Sequence, residues 1–365
     1  MSAKIVIDAR ESGTSTGRYV DKLIEYLAKL KPHYEIIVLT KSPRMQYVKS
    51  IAPNFKVVES NFKEFTFAEQ IGFLKQLNGI KADLVHFGMT QQPILYRGKA
   101  VTAILDLTTA RFRNPAKNWL VFTLKQWVYR FVIKYVARKS SRVITISNFT
   151  KKDVVQYAKI SPNKISVIYP ATDKITVPAE PIASLADKDF IMYVGRAQPH
   201  KNLKNLVEAF AKLKSNQPKL HLVLAGKIDD NYRLLQEYVK NRGVNDVVFT
   251  DFVSEVQLRW LYENAKAYVF PSLSEGFGLP GLEALAHGLP LVSSRATCLP
   301  EIYKDSALYF NPKSTTDMAE KIKMVLDDKE VAAKLRHKGP KLAAEYSWER
   351  TAKQTVTVYD EALDH

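Results

Sequence analysis

Short apolar runs alternate with longer amphipathic segments along the whole chain. The runs are rich in Val, Ile, Leu and aromatic residues, whereas the segments between them repeat apolar side chains at helical spacing. Strands that alternate with helices predict parallel sheets joined by crossover helices. The strands that we expect lie at 5–9, 35–39, 83–87, 101–105, 142–146, 165–168, 190–194, 221–225, 247–250, 267–270, 290–293 and 307–310.

A proline-containing stretch at 171–189 interrupts this pattern. The chain has 365 residues, which is long for one hydrophobic core and sufficient for two α/β domains. We therefore expect an N-terminal domain at 1–170, a linker at 171–189 and a second domain at 190–346. A last helix is expected within 347–365.

A glycine-rich loop with a glutamate at either side follows the strand expected at 267–270. It spans 274–283 and leads directly into a predicted helix. Glycine lets a backbone approach a ligand closely, and the free N–H groups of a helix start favour an anion such as phosphate. Since carboxylates accept hydrogen bonds from vicinal hydroxyl groups, we assign Glu275 to a sugar and Glu283 to a ribose. The loop residues expected along this ligand are Gly276, Phe277, Gly278 and Leu279.

A simpler interpretation of the same loop stays open. Glu275 would then be a solvated loop residue, and Glu283 an acid that stabilises the start of its helix.

Cations follow the strand expected at 190–194. Gly195 and Arg196 come first, and Lys201 stands just before an amphipathic helix. Ligands of open α/β sheets bind at the carboxyl ends of the strands. Arg196 and Lys201 are therefore placed to neutralise a diphosphate, arginine through a fork of donors and lysine as a point charge. Solvated cations of an ordinary loop are the alternative.

Together these two motifs resemble the retaining glycosyltransferases of family 4, and the similarity covers nearly the whole chain. The resemblance implies the GT-B fold, an α/β architecture of two Rossmann-like domains with doubly wound parallel sheets that face a central cleft. It implies that 1–170 binds an acceptor, that 190–346 binds a nucleotide-sugar donor and that the helix within 347–365 crosses back to the first domain. Arg196, Lys201 and Glu275 would be the catalytic residues, with no metal and no cofactor.

A loop near the N-terminus agrees with this resemblance. The sequence Gly-Thr-Ser-Thr-Gly at 13–17 resembles the family's phosphate-side glycine loop, so Gly13 and Gly17 join Gly195 and Glu283 among the expected donor-binding residues. An ordinary strand-to-helix turn is the alternative, since the spacing of a dinucleotide-binding fingerprint is missing.

One position departs from the family. Leu105 stands before Asp106 where the resemblance places a histidine that lines the catalytic cleft. Leucine can neither hydrogen-bond a sugar nor transfer a proton. Asp106 and His86 are the acceptor-side candidates for that role, although a histidine in an apolar strand is more often structural.

The composition is strongly basic, with a formal net charge of +17 and an isoelectric point near 9.6. Such a charge attracts polyanions and anionic membranes. A disulfide within the chain is excluded because Cys298 is the single cysteine. The N-terminal residues lack the apolar core of a signal peptide, and no apolar run reaches the roughly 18 residues of a membrane span. We therefore expect a cytoplasmic protein that can lie peripherally at the inner face of the membrane.

The helix predicted at 118–139 interleaves aromatic and basic side chains. It resembles a basic interfacial helix, which would bring a lipid-linked acceptor to the site. The interpretation that we favour is a scaffold helix that packs on the N-terminal sheet while its lysines snorkel to water. The segment 62–65 carries both signs of charge, so we expect an acceptor-side loop there and no extension of a basic patch.

The resemblance, with the residues that carry it, implies a metal-independent retaining hexosyltransferase of polysaccharide or glycolipid synthesis. Its partners would be a nucleotide-sugar donor, with GDP-mannose as the first candidate, and a glycan or lipid-linked acceptor. A catalytically silent sugar-nucleotide binder or an epimerase on the same fold is one alternative. The other is a basic nucleic-acid- or membrane-binding protein, but no nucleic-acid motif accompanies the charge, so no specific nucleic acid is expected.

Overall fold

The computed structural model describes residues 2–14, 17–112 and 119–364. This part of the chain forms two compact units. The first contains the chain up to Ala110, Leu124–Pro170 and the residues from Ser347 onward, and the second is formed mainly by Ala171–Tyr346. The linker expected at 171–189 lies within the second unit.

A sheet of parallel strands forms the centre of the first unit. In the described residues its strands are β1 (Lys4–Asp8), β2 (Glu35–Thr40), β3 (Lys56–Glu59), β4 (Leu84–Phe87), β5 (Ala100–Ile104), β6 (Arg142–Thr145) and β7 (Ile165–Val167). Their spatial order is β3-β2-β1-β4-β5-β6-β7. The chain therefore winds outward in opposite directions from β1 and β4, and the carboxyl ends of these two strands flank a crevice.

The helices along this part of the sequence connect the strands as crossovers. They are α1 (Gly17–Leu30), α2 (Met45–Ile51), α3 (Leu74–Ile80), α4 (Thr108–Arg111), α5 (Trp119–Lys139) and α6 (Asn148–Ala158). Shorter turns lie at Ser42–Arg44, Glu69–Phe73 and Pro162–Lys164.

The second unit repeats the architecture. Its described strands are β8 (Phe190–Val194), β9 (His221–Ala225), β10 (Val247–Asp251), β11 (Ala267–Phe270), β12 (Leu291–Ser294) and β13 (Ala307–Phe310). They pair in parallel in the order β10-β9-β8-β11-β12-β13, so the crevice lies between the carboxyl ends of β8 and β11. Its helices are α7 (Leu203–Leu213), α8 (Asp230–Arg242), α9 (Glu255–Asn264), α10 (Leu279–Ala286), α11 (Leu299–Tyr303), α12 (Thr315–Asp327) and α13 (Lys329–Ala343), with short turns at Ala183–Leu185 and Pro199–Lys201.

The expected strands are confirmed, and each predicted end lies within one residue of the observed end. The sequence pattern did not predict β3. This strand is short and its side chains are not fully buried, so its apolar pattern is weak, and it forms by pairing with β2 from Lys56 to Glu59.

The last helix, α14 (Trp348–Asp364), belongs to the first unit, where it packs against α1. It also covers His86 of β4, which is fully buried, with its Nδ1 2.6 Å from the Tyr359 hydroxyl oxygen. His86 is therefore a core residue, and the structure does not support its candidacy for the acceptor side. The partner that buries it comes from the far end of the sequence, which local pattern cannot reveal.

Helix α5 presents two different faces. Tyr129, Ile133 and Ala137 are buried in a cluster with residues of β5, β6 and α6, which is the packing expected of a scaffold helix. Trp127 and Phe131 remain 67% and 52% exposed. Across the described residues, no helix combines the length and the hydropathy that crossing a membrane requires.

We expect the first unit to lose stability in mild acid. Burial lowers the pKa of His86 to about 3, whereas an unfolded histidine titrates near about 6.5. Because only the unfolded state binds this proton, stability falls as the pH drops from about 6.5 toward 3, by about 1.4 kcal/mol per pH unit. Hydrogen exchange of the β4 amides in urea monitors this unfolding. The free energy of unfolding should fall by about 2 kcal/mol between about pH 7 and pH 5.

A His86→Gln variant should flatten this pH dependence. The control is His200→Gln, since His200 lies in the second unit and should leave the β4 measurement unchanged. An equal slope in wild type and His86→Gln would contradict a buried, neutral His86.

Candidate donor and acceptor sites

An ion pair joins the two loops that flank the crevice of the second sheet. Lys201, in the turn after β8, lies with its Nζ 2.6 Å from Oε1 of Glu275, in the loop after β11. Their side chains are 18% and 12% exposed. Two residues that the sequence assigned to one donor are thus brought together at the edge where ligands of such sheets bind.

A tyrosine hydroxyl holds the backbone that precedes Lys201. Gly195 has a φ of +147°, and its carbonyl oxygen accepts a hydrogen bond of 2.8 Å from the Tyr232 hydroxyl. A side chain at Gly226, which follows β9, would lie 2.2 Å from the same carbonyl oxygen. The two glycines therefore let neighbouring loops touch through their backbones. Arg196, the next residue, is exposed.

His200 contributes a neutral imidazole beside the ion pair. Burial lowers its pKa to about 4, and the charge of Lys201 acts in the same direction while Glu275 opposes it. The local positive charge near neutral pH therefore comes from Lys201 and not from His200.

The loop after β12 holds Glu275 by its backbone. The Glu275 N–H donates to the Thr297 hydroxyl at 3.0 Å, and that hydroxyl donates to the Glu275 carbonyl oxygen at 3.1 Å. The Cys298 thiol donates to the same oxygen at 3.2 Å. Burial, followed by the charge of Glu275, raises the pKa of this thiol, so it stays protonated. Thr297 and Cys298 were missed because neither belongs to a recognisable motif.

Glu283 lies in the second turn of α10 and is only 6% exposed. Its Oε2 accepts a hydrogen bond of 3.1 Å from the Tyr262 hydroxyl. The carboxylate is thus oriented by a neighbour, and its assignment to a ribose stays a prediction. Gly276, Phe277 and Gly278, in the loop that leads to this helix, are buried, and Leu279 begins the helix.

Tyr303 supports the glycine-rich loop from behind. Its hydroxyl donates to the Gly278 carbonyl oxygen at 2.5 Å, where Gly278 has a φ of +97°. An added Cβ would lie 2.2 Å from that hydroxyl at Gly278 and 2.3 Å from it at Gly281. The glycines of this motif therefore make room for a tyrosine. No sequence pattern predicts this contact.

A cavity of about 290 Å³ lies in the first unit, at the crevice of its sheet. Residues that follow β1, β4 and β5 line it, together with side chains from the segment after β3 and from α5. The lining residues are Glu11, Glu64, Phe65, Met89, Thr90, Gln91, Ala103, Leu105, Asp106, Thr109 and Tyr129. Asp106 and the segment expected to be an acceptor-side loop therefore meet in one cavity, and Leu105 forms part of its wall.

Glu11 and Glu64 form a carboxyl pair on the wall of this cavity. Burial and the charge of Glu64 raise the pKa of Glu11. Burial acts to raise the pKa of Glu64 too, but the hydrogen bond and charge of Lys41 hold it below its usual range. Lys41 Nζ lies 2.8 Å from Glu64 Oε1. Glu11 is therefore the member of the pair that takes up a proton first as the pH falls.

Arg10 fixes the segments that form the cavity. It is 1% exposed, and its Nη2 lies 2.8 Å from Asp8 Oδ2 and 3.0 Å from Glu69 Oε1. The same guanidinium donates to the carbonyl oxygens of Phe62 and Gln91 at 3.2 and 3.3 Å. One buried cation thus ties the loops after β1, β3 and β4 together.

The N-terminal glycine loop is more constrained than its sequence suggested. Gly13 has a φ of +81°, and its N–H donates to Asp21 Oδ2 at 3.1 Å. An added Cβ at Gly17 would lie 1.7 Å from the Glu11 carbonyl oxygen, so only glycine fits there. The Gly13 amide would have to leave Asp21 before it could bind a phosphate. Residues 15 and 16 lie outside the described residues.

Comparison with known families accounts for both units. The profile described as "Glycosyltransferase Family 4" matches residues 16–174, and the one described as "Glycosyl transferases group 1" matches residues 179–342. The chain belongs to the family 4 glycosyltransferases. The first match lies mainly in the first unit, and the second match lies within the second unit.

Curated relatives of this glycosyltransferase include mannosyltransferases. It is 30% identical to the serotype-specific mannosyltransferase WbdA of Escherichia coli over 240 residues, which are 62% of this chain and 29% of WbdA. It is 29% identical to the MMP alpha-(1->4)-mannosyltransferase of Mycolicibacterium hassiacum over 68% of this chain and 61% of that protein. The chain thus spans less than a third of the length of WbdA.

Solved structures confirm the GT-B fold of the glycosyltransferase. Sucrose-phosphate synthase from Thermosynechococcus elongatus superimposes with a TM-score of 0.77 at 18% identity, with 98% of each chain covered. Anabaena HepE in complex with UDP and glucose gives a TM-score of 0.76 at 17% identity, over 98% of this chain and 99% of HepE.

We expect Gly281→Ala to destabilise the second unit by about 1–3 kcal/mol, because the new methyl group overpacks against the buried Tyr303. Tyr303→Phe in the same chain should recover part of this loss, since it removes the atom that lies closest. Chemical denaturation of both single variants and the double variant measures the coupling.

Gly79→Ala is the matched control, because an added Cβ there meets no atom within 4 Å. It should be neutral or slightly stabilising. A similar loss of stability in Gly79→Ala and Gly281→Ala would show that Tyr303 is not the cause.

Proposed function

We propose that the protein is a retaining, metal-independent hexosyltransferase that moves a sugar from a nucleoside diphosphate to a hydroxyl acceptor. The ion pair of Lys201 and Glu275 at the crevice of the second sheet carries this proposal. Lys201 provides the cation that a diphosphate requires, and Glu275 provides an acceptor for sugar hydroxyl groups. In this function Glu283 binds the ribose.

The chemistry requires positive groups where negative charge develops. As the bond between the anomeric carbon and the phosphate oxygen stretches, charge grows on the β-phosphate. Lys201, with Arg196 and the amides of 276–279, is suited to stabilise it, and such fixed groups contribute several kcal/mol. Since Leu105 cannot take a proton, we assign that step to the departing phosphate oxygen, which is compatible with retention of configuration.

The sugar and the setting are also part of the proposal. Relatives named for mannose transfer, including the O-antigen chain mannosyltransferase B of Escherichia coli, support mannose, GDP-mannose and polysaccharide synthesis. HepE binds UDP and glucose, so the base stays open to measurement. We place the reaction in the cytoplasm at the inner face of a membrane, with a glycan or lipid-linked acceptor.

Calorimetric titration with GDP, UDP, ADP and their hexose conjugates in EDTA tests the donor site. One nucleotide series should bind, and Lys201→Ala should weaken it by about tenfold or more, because a charged hydrogen bond to phosphate contributes about 1.5–3 kcal/mol. Glu275→Gln should strengthen binding of the free diphosphate, since Lys201 then loses its competing partner, but should weaken binding of the sugar conjugate.

Lys212→Ala is the control for charge alone, because Lys212 is an exposed lysine of the same unit. If no nucleotide binds the folded wild type, the donor site is refuted. Binding without release of diphosphate in the presence of any acceptor would favour the catalytically silent binder.

The acceptor side makes a separate prediction. Glu11→Gln should raise the KM for the acceptor by about tenfold. The substitution removes a carboxyl group from the cavity wall, and with it about one hydrogen bond from the acceptor to a charged group. The affinity for the donor nucleotide should not change. Steady-state kinetics separate the two effects. The control is Glu35→Gln, because Glu35 is an exposed glutamate of the first unit. A loss of donor affinity alone would place Glu11 on the donor side.

A further inference from the structure

The first unit exposes an unusual set of large apolar side chains. Phe67 is 87% exposed, Ile71 70%, Leu95 64%, Trp127 67% and Phe131 52%. These five residues, which we call the apolar face, come from three separate segments of the sequence. Exposing so much aromatic and aliphatic surface in one unit is costly in water and is typical of an interaction site.

Contacts join the three segments to one another. The ring of Phe65 lies 6.1 Å from that of Tyr129 of α5. The Gln70 side chain exchanges hydrogen bonds with the backbone of Gln92 and Ile94, and Lys139 of α5 donates to the Ile94 carbonyl oxygen at 3.0 Å. The segment after β3, the loop before β5 and α5 are therefore direct neighbours.

The charges around this face have one sign. Two acids, Glu64 and Glu69, occur in the described residues of 62–75, 93–99 and 123–139, and both turn inward to Lys41 and Arg10. The same segments carry exposed cations, which are Lys63, Lys75, Arg97, Lys99, Arg130, Lys134, Arg138 and Lys139. Burial and the nearby charge of Arg97 lower the pKa of Lys139, which shows that cations crowd together here.

We propose that the apolar face binds an anionic lipid bilayer, with Phe67, Trp127 and their neighbours inserted at the interface and the surrounding cations on the lipid headgroups. A surface that combines aromatic and aliphatic side chains with lysine and arginine matches the two layers of a membrane interface. Ile71 and Leu95 have no hydrogen-bonding or stacking partner on a nucleic acid, so the composition favours a bilayer. In this proposal Lys63 joins the basic surround, although we expected no extension of a basic patch at 62–65.

The face and the cavity of the first unit share two segments of the chain. Phe65, two residues before Phe67, lines the cavity, and so does Tyr129, which lies on the buried side of α5 opposite Trp127 and Phe131. A unit bound in this way holds the cavity beside the headgroups. The inference rests on the proposed transferase function, and it specifies the acceptor as a glycan that is attached to a lipid.

Flotation with vesicles tests the surface. The full chain should bind phosphatidylcholine vesicles that contain about one third phosphatidylglycerol, and should not bind pure phosphatidylcholine. The triple variant Phe67→Ser/Trp127→Ser/Phe131→Ser should bind these vesicles at least about tenfold more weakly than the wild type. Lys134→Glu/Arg138→Glu should remove the preference for anionic lipid and its dependence on salt.

Matched changes in the second unit provide the controls. Phe252→Ser removes an apolar side chain that is 78% exposed, and Lys212→Glu/Lys219→Glu reverses two exposed charges. Both should bind vesicles like the wild type. Equal binding by the wild type and the triple variant would overturn the proposal, and so would failure of the wild type to bind anionic vesicles at low salt.

Two further measurements separate the possible causes of failure. Nucleotide titration without vesicles reports on the transferase function alone, so intact nucleotide binding with no vesicle binding refutes only the surface. Binding of a single-stranded oligonucleotide that competes with vesicles and survives the triple variant would assign the basic surface to nucleic acid instead.

Discussion

The buried guanidinium of Arg10 is the interaction on which the first unit's cavity depends. A charge inside a protein is tolerated only when partners satisfy it, and removing one partner of such a group typically costs about 3–5 kcal/mol. Arg10 meets that demand with Asp8, Glu69 and two backbone carbonyl oxygens from different loops. Its requirement for partners therefore dictates where those loops run. The cavity wall and the inward turn of Glu69, which takes a negative charge away from the adjoining surface, both follow from it.

Both sites obey the same topological rule. In each sheet the chain winds outward from a central pair of strands, so the loops that follow that pair flank a crevice that helices do not cover. The second unit places Lys201 and Glu275 there, and the first unit places Glu11 and the residues after β4 there. One fold used twice thus places an ion pair at one crevice and a pair of carboxyl groups at the other.

The sequence pattern predicted the features that depend on residues close together in the chain. The strands follow from runs of buried apolar residues, and Lys201, Glu275 and Glu283 follow from loops at strand ends. It did not reach Glu11 and Glu64, because they meet through the path of the chain between them and not through spacing. Tyr303 was missed for the same reason, since only the packed structure shows that its hydroxyl fills the space beside Gly278 and Gly281. The contact of His86 with Tyr359 is also beyond local pattern, because the two residues are 273 positions apart.

The distance in sequence between His86 and Tyr359 affects how the protein folds during its synthesis. The first unit needs α14 to cover β4, so its core stays incomplete until the ribosome has made the residues beyond Ser347. His86 and Tyr359 are 273 positions apart, so synthesis from the first to the second takes roughly 14–55 s at about 5–20 residues per second. The second unit, whose main segment is contiguous, can close before the first. Strand β4 therefore stays incompletely covered while the whole second unit is made.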